Sequence, residues 1–181
     1  MRTCTACVLH RSRGATTTAR AYPPDHTTAL CARHQQAAAD PRHTAPLDIA
    51  GLPELTHAHH FHRRLARSPS FTTALTWAAT ITTRWYDHHQ HLHTRWQARL
   101  ARLTTTNPHT RKGPASPALT CRTLITYPET LTLAAALTRI PPHGLTHNDR
   151  SGFLHRLAGR LELTHLTPAT HDPLWTRINT R

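Results

Sequence analysis

Two short pairs of metal-binding side chains stand at the head of the sequence, Cys4-Thr5-Ala6-Cys7 and Cys31-Ala32-Arg33-His34. Thiolate and imidazole are the ligands of tetrahedral zinc, and a C-x2-C pair followed by a C-x2-H pair fills all four positions from the protein. A site so filled has no open position for substrate or activated water, which predicts a structural Zn2+ and not a catalytic one. The alternative is free cysteines beside a chance histidine, since the chain holds 18 His. His10, His26 or His43 could also stand in for His34 as the fourth ligand.

The elements around these residues should position them in a simple way. Cys4 to Cys7 reads as a tight turn aiming two thiolates at one point. Cys31 and His34 lie in Leu30–Ala39, rich in helix formers, so the spacing predicts one face of a helix's first turn. Between the pairs, Ala15–Tyr22 is Thr-rich and reads as strand, and Pro23-Pro24-Asp25 as a turn. Residues 1–44 would then form a treble-clef-like or ribbon-like zinc module.

Beyond it the pattern is helical, and the fold class expected is mainly α: the zinc module followed by a bundle with one long central helix. Regions 45–105 and 118–181 read as helical, joined by a linker at 106–117 that carries Arg111 and Lys112. Leu55, His59, His62 and Leu65 mark a first helix, whose histidines at 57, 59, 60 and 62 read as a solvated or anion-facing surface. Ser70 is placed to cap the central helix, from Phe71 to about Leu103. Its apolar seam is Phe71, Leu75, Ala78, Ile81, Trp85, Leu92, Trp96, Leu100 and Leu103. Beside the seam run Arg84, His88, His91, Arg95, Arg99 and Arg102, a candidate phosphate track whose plainer reading is a solvated basic face.

Further on, Ala118–Thr126 reads as a short helix burying Cys121, and Tyr127-Pro128-Glu129 as the start of another, with Pro128 in its first turn. Thr146 and Asp149 form a capping-box-like start for a helix that carries Arg156 and Arg160 opposite Phe153, Leu157 and Leu161. Thr164–Arg181 reads as an irregular strap.

The run from Asp87 to His93 offers Asp87 with His91, and His89 with His93, as pairs four residues apart that could hold a metal. It lacks the glutamate of H-E-x-x-H and has no nearby nucleophile, so the sequence favours no catalytic role there.

Lys+Arg 22 against Asp+Glu 9 gives a formal charge of +13. Lys112 is the sole lysine, and arginine's planar fork suits bidentate phosphate contact, so the balance points to nucleic acid. Val8 is the sole valine while Thr, His, Pro, Ala and Arg are inflated, a skew that base composition alone can produce. No secretory signal or apolar run of the roughly 20 residues needed to span a bilayer is visible, which with metal-assigned cysteines leads us to expect a cytoplasmic protein.

The order Cys4-x2-Cys7 with Leu9, then Leu30-Cys31-x2-His34, then a helical region with Gly51–Leu55, Arg95-Trp96 and Tyr127-Pro128-Glu129, resembles the zinc-finger and helical part of TniQ-type proteins. These are target-selection components of Tn7-like transposons. The resemblance implies zinc on Cys4, Cys7, Cys31 and His34, and contact with DNA, with a transposition AAA+ ATPase, or with both. The chain would be a shortened relative, with Thr5 where the family usually has proline and without a second zinc pair downstream.

The leading expectation is therefore a non-enzymatic, zinc-stabilised basic helical protein on DNA or a DNA-associated assembly, with no small-molecule substrate. Arg84, Arg95, Arg99, Arg102, Arg111, Lys112, Arg156 and Arg160 are the candidate nucleic-acid contacts. An adaptor for an acidic protein partner is the second reading. A metal-dependent nuclease is the third, and it is disfavoured by the lack of paired carboxylates to hold magnesium.

Overall fold

The computed structural model describes residues 4–14, 30–38, 45–113, 115–141 and 143–179. The strand expected at Ala15–Tyr22, the turn at Pro23-Pro24-Asp25, and His26 and His43 lie outside the described residues. The chain is mainly helical, with one small sheet near its N-terminus. Two compact units alternate along it: residues 1–60 with 97–125, and residues 61–96 with 126–181.

In the first unit, helix α1 (Thr5–Arg11) is followed by strands β1 (Leu30–Cys31), β2 (Gln36–Ala37) and β3 (Leu47–Asp48). They form an antiparallel meander in the order β1-β2-β3, pairing Leu30 with Ala37 and Ala37 with Leu47. These three side chains and Ile49 are buried, so one face of the sheet is apolar. The helix expected over Leu30–Ala39 is instead this hairpin. Cys31 lies across from Gln36, and the four-residue turn between them closes through Gln35 in the left-handed region, φ 47°.

One side chain far along the sequence completes the edge strand β3. Asn107 accepts from the Asp48 amide through Oδ1 and donates to the Asp48 carbonyl through Nδ2, both at 2.8 Å, so its carboxamide acts as a further strand partner. Nδ2 also donates to Leu103 O. Asn107 ends helix α4 (His93–Thr106) and begins a 3-10 turn, Pro108–Lys112. Asn107 and Thr110 are buried, so this part of the expected linker at 106–117 is packed structure. Helix α2 (Pro53–Leu65) brings Glu54 to Arg99 Nε at 3.2 Å and to Arg102 Nη1 at 3.0 Å. Arg99 also donates to Ile125 O and Arg102 to Gly51 O. The short helix α5 (Pro117–Thr120) leads into α6 (Arg122–Leu137), and Cys121 between them is buried as expected. Pro128 is interior to α6, not in a first turn. Proline has no N–H for the carbonyl four residues back and crowds it, so the ladder is interrupted at that level; Arg99 supplies a donor to the adjacent Ile125 carbonyl.

In the second unit, α3 (Phe71–Asp87) buries Phe71, Leu75, Ala78, Ile81 and Trp85. Ser70 makes no side-chain cap; its hydroxyl meets that of Ser68 at 3.1 Å. The single helix expected from Phe71 to Leu103 is two helices, and the break has a clear cause. His89 takes φ 55°, its amide bonds Tyr86 O at 3.2 Å, and the Gln90 amide bonds Trp85 O at 2.8 Å, the paired bonds of a Schellman stop. Leu92 is buried beyond the stop and α4 restarts at His93, so the expected seam is buried on both sides of the break except at half-buried Leu100.

Helix α7 (His147–Arg160) starts where the capping box requires, with the Thr146 hydroxyl accepting from the Asp149 amide. It ends in a second Schellman pair at Glu162, φ 55°. The tail expected as an irregular strap contains α8 (Pro173–Asn179), which packs against α3 through buried Leu174 and Ile178. No helix among the described residues is long and apolar enough to cross a membrane.

Candidate metal centre

Local structure explains how four ligands from two sequence segments meet. Cys7 lies in the first turn of α1 and Cys4 just before it, so the first pair is presented by a helix start. Helix α1 ends quickly: Arg13 is left-handed at φ 50° and the Gly14 amide returns to Leu9 O at 2.9 Å, again a Schellman geometry. Cys31 ends β1 and His34 sits in the hairpin turn, so the second pair is presented by a knuckle. The expectation had these two roles the other way round. The geometry works because a helix start and a β-turn both curl two residues three apart toward one side.

Cys4, Cys7, Cys31 and His34 offer ligand atoms that all lie within 4.8 Å of one another. Nδ1 of His34 is 3.6 Å from Cys4 Sγ, 3.2 Å from Cys7 Sγ and 3.5 Å from Cys31 Sγ, and the Cys7 and Cys31 sulfurs are 3.7 Å apart. Zinc–sulfur bonds of about 2.3 Å and zinc–nitrogen bonds of about 2.05 Å at tetrahedral angles require edges of about 3.8 Å for S···S and about 3.6 Å for S···N. The cluster is therefore close to the size of one four-coordinate ion and free of disulfides. Gln36, opposite Cys31 in the hairpin, has its side-chain carboxamide 3.5 Å from Cys4 Sγ; the amide turned over would donate to a thiolate there.

Burial pushes the Cys7 thiol up to about 11, helped by the hydrogen bond and charge of Cys31 and then by Cys4. For Cys31, burial also acts upward, but hydrogen bonds from the His34 backbone, from the Cys7 and Cys4 thiols and from the Arg33 backbone outweigh it and hold the thiol below its ordinary range.

No family model matches the chain, and no curated protein or solved structure matches it significantly.

The other candidate residues fare unequally. Arg99 is 5 % exposed and committed to Glu54, so it is a packing residue and not a phosphate contact. Arg95 meets Glu162 at 3.1 Å and Glu129 at 3.7 Å, and Arg102 is held by Glu54. Arg84 is half-buried, while Arg111, Lys112, Arg156 and Arg160 are exposed, Arg111 reaching Thr104 Oγ1. Arg63, Arg64 and Arg67, at and just past the end of α2, are exposed and were not among the expected contacts. Their signal was present as three arginines in five residues before Ser68-Pro69.

The histidines of α2 divide in the same way. His57 and His60 are exposed, but His59 and His62 are buried, and His62 Nδ1 lies 2.8 Å from the Tyr127 hydroxyl, which corrects the reading of a solvated surface. Trp85 and Trp96 are fully buried, each indole donating to a carboxylate: Trp85 to Asp172 at 2.7 Å and Trp96 to Glu129 at 3.0 Å. His91 packs edge-on against Trp85, and burial holds it below the usual histidine range despite the nearby Asp172 charge.

Proposed function

We propose that Cys4, Cys7, Cys31 and His34 bind one structural Zn2+ and that the chain so stabilised binds nucleic acid as a non-enzymatic basic protein. The zinc reading is carried by the match between the ligand edges and a tetrahedral ion. Three sulfurs and one imidazole form a donor set that selects zinc over hard cations. The ion ties α1 to the hairpin and so supplies folding energy to that lobe.

The polyanion reading is carried by where the carboxylates go. Glu54, Glu129, Glu162 and Asp172 bond to arginine or tryptophan within the fold, while Arg63, Arg64, Arg67, Arg156 and Arg160 form no ion pair with a described residue. These exposed arginines therefore carry part of the net +13 without a carboxylate beside them. DNA, or an assembly on DNA, is the partner this favours, and kinship with TniQ-type proteins is part of the proposal, resting on the resemblance of the four ligands and the helical motifs that follow them. Titration of zinc-loaded protein against labelled duplex over a range of salt tests it. Affinity should fall steeply, with a log–log slope near −0.9 per phosphate neutralised. Binding absent at low salt contradicts the nucleic-acid reading; salt-insensitive capture of an acidic protein instead favours an adaptor.

A further inference from the structure

The joint between α3 and α4 carries a second pair of metal-ligating side chains that the zinc centre does not use. His89 Nδ1 and His93 Nδ1 lie 3.0 Å apart at the surface, with ring centroids at 4.3 Å and planes at 79°. His89 is left-handed at the Schellman stop and His91, between the two rings in sequence, is left-handed at φ 47°, so the backbone turns back between His89 and His93. Buried Leu92 anchors the joint, and the His91 ring packs edge-on against Trp85. The two imidazoles are held by backbone geometry, not by a regular helical turn.

We propose that His89 and His93 form a two-histidine site for a divalent transition cation, separate from Cys4, Cys7, Cys31 and His34. The donor type chooses the class of ion: two imidazole nitrogens 3.0 Å apart are close enough to share one cation, and imidazole suits first-row ions such as Ni(II), Cu(II) and Zn(II) over hard cations. The remaining positions face solvent and take water. For an ion to bind both Nδ1 atoms, the ring that donates in the hydrogen bond moves its Nδ1 proton to its own Nε2, and the ion then ties His89, two residues past α3, to the first residue of α4.

Ni(II) is the probe, because Cu(II) would also attack the thiolates of the other centre. Zinc-loaded full-length protein is titrated calorimetrically with Ni(II), and its melting is followed with and without the metal. The tightest Ni(II) event should weaken at least tenfold in His89→Ala and in His93→Ala, and Ni(II) should raise the melting temperature of the parent but not of either variant. A His57→Ala/His60→Ala variant, altered at exposed histidines of α2, should behave as the parent. Both test positions lie at the surface, and circular dichroism of the zinc-loaded, nickel-free variants checks that they fold. Equal Ni(II) affinity, or an equal Ni(II)-dependent melting shift, in parent and either variant overturns the site.

Discussion

The indole of Trp85 donates to Oδ2 of Asp172 at 2.7 Å, both groups being buried. The other oxygen, Oδ1, accepts the amide of Leu174 at 2.7 Å in the first turn of α8. One carboxylate thus satisfies a core tryptophan and starts the C-terminal helix. Asp172→Ala leaves the indole N–H buried without a partner, at about 1–3 kcal/mol, and removes a helix-start acceptor worth about 1 kcal/mol. Thermal or denaturant unfolding should show a loss of about 2–4 kcal/mol. Trp85→Phe combined with Asp172→Ala should cost less than the sum of the single changes.

Asn107 is the corresponding clasp in the unit that holds the metal centre. Its carboxamide meets both backbone groups of Asp48 and is 2 % exposed. Asn107→Asp removes the donor to two carbonyls and sets a charge against them, whereas Asn107→Ala only removes bonds. Denaturant titration should find Asn107→Asp the more damaging, with losses of about 2–4 kcal/mol against about 1–3 kcal/mol.

The arginines should separate into two classes. Arg63→Ala, Arg64→Ala and Arg67→Ala are expected to leave stability within about 0.5 kcal/mol and to reduce the salt slope of duplex binding by about one for each phosphate-bound arginine removed. Arg99→Ala removes a buried partner of Glu54 and should cost about 2–3 kcal/mol in unfolding with no change in that slope. Paired denaturation and salt-titration data on these four variants check the division.

The sequence was most legible where side-chain type alone decides. Thiolate and imidazole at ligand spacing named the centre whichever element carried them, and the seam from Phe71 to Leu103 named the buried side chains although the helix breaks within it. Helix ends were less legible. Schellman stops normally announce themselves with glycine or asparagine, but here the left-handed positions are Arg13, His89 and Glu162. Glu162 uses the turn to reach Arg95; no comparable reward is visible for Arg13. Long-range pairing was not legible at all: nothing local marks Asp172 as the partner of Trp85, or Arg99 as a buried residue rather than part of a phosphate track.

Metal affinity should depend on pH in a definite direction. The Cys7 thiol, raised to about 11 by burial and by Cys31, is protonated at neutral pH, so metal binding must displace its proton. Apparent zinc affinity therefore rises with pH, about tenfold per unit for each proton displaced, and falls on acidification. Addition of zinc to the metal-free protein should release protons, measurable as acidification of a weakly buffered solution.

The most direct test of the account is metal analysis of the purified full-length chain together with X-ray absorption at the zinc edge, on the parent and on Cys31→Ser. The account predicts one zinc per chain in a shell of three sulfurs and one nitrogen, with the zinc lost from the variant. A chain that purifies without zinc and does not take it up, or a variant that keeps an unchanged shell, contradicts it.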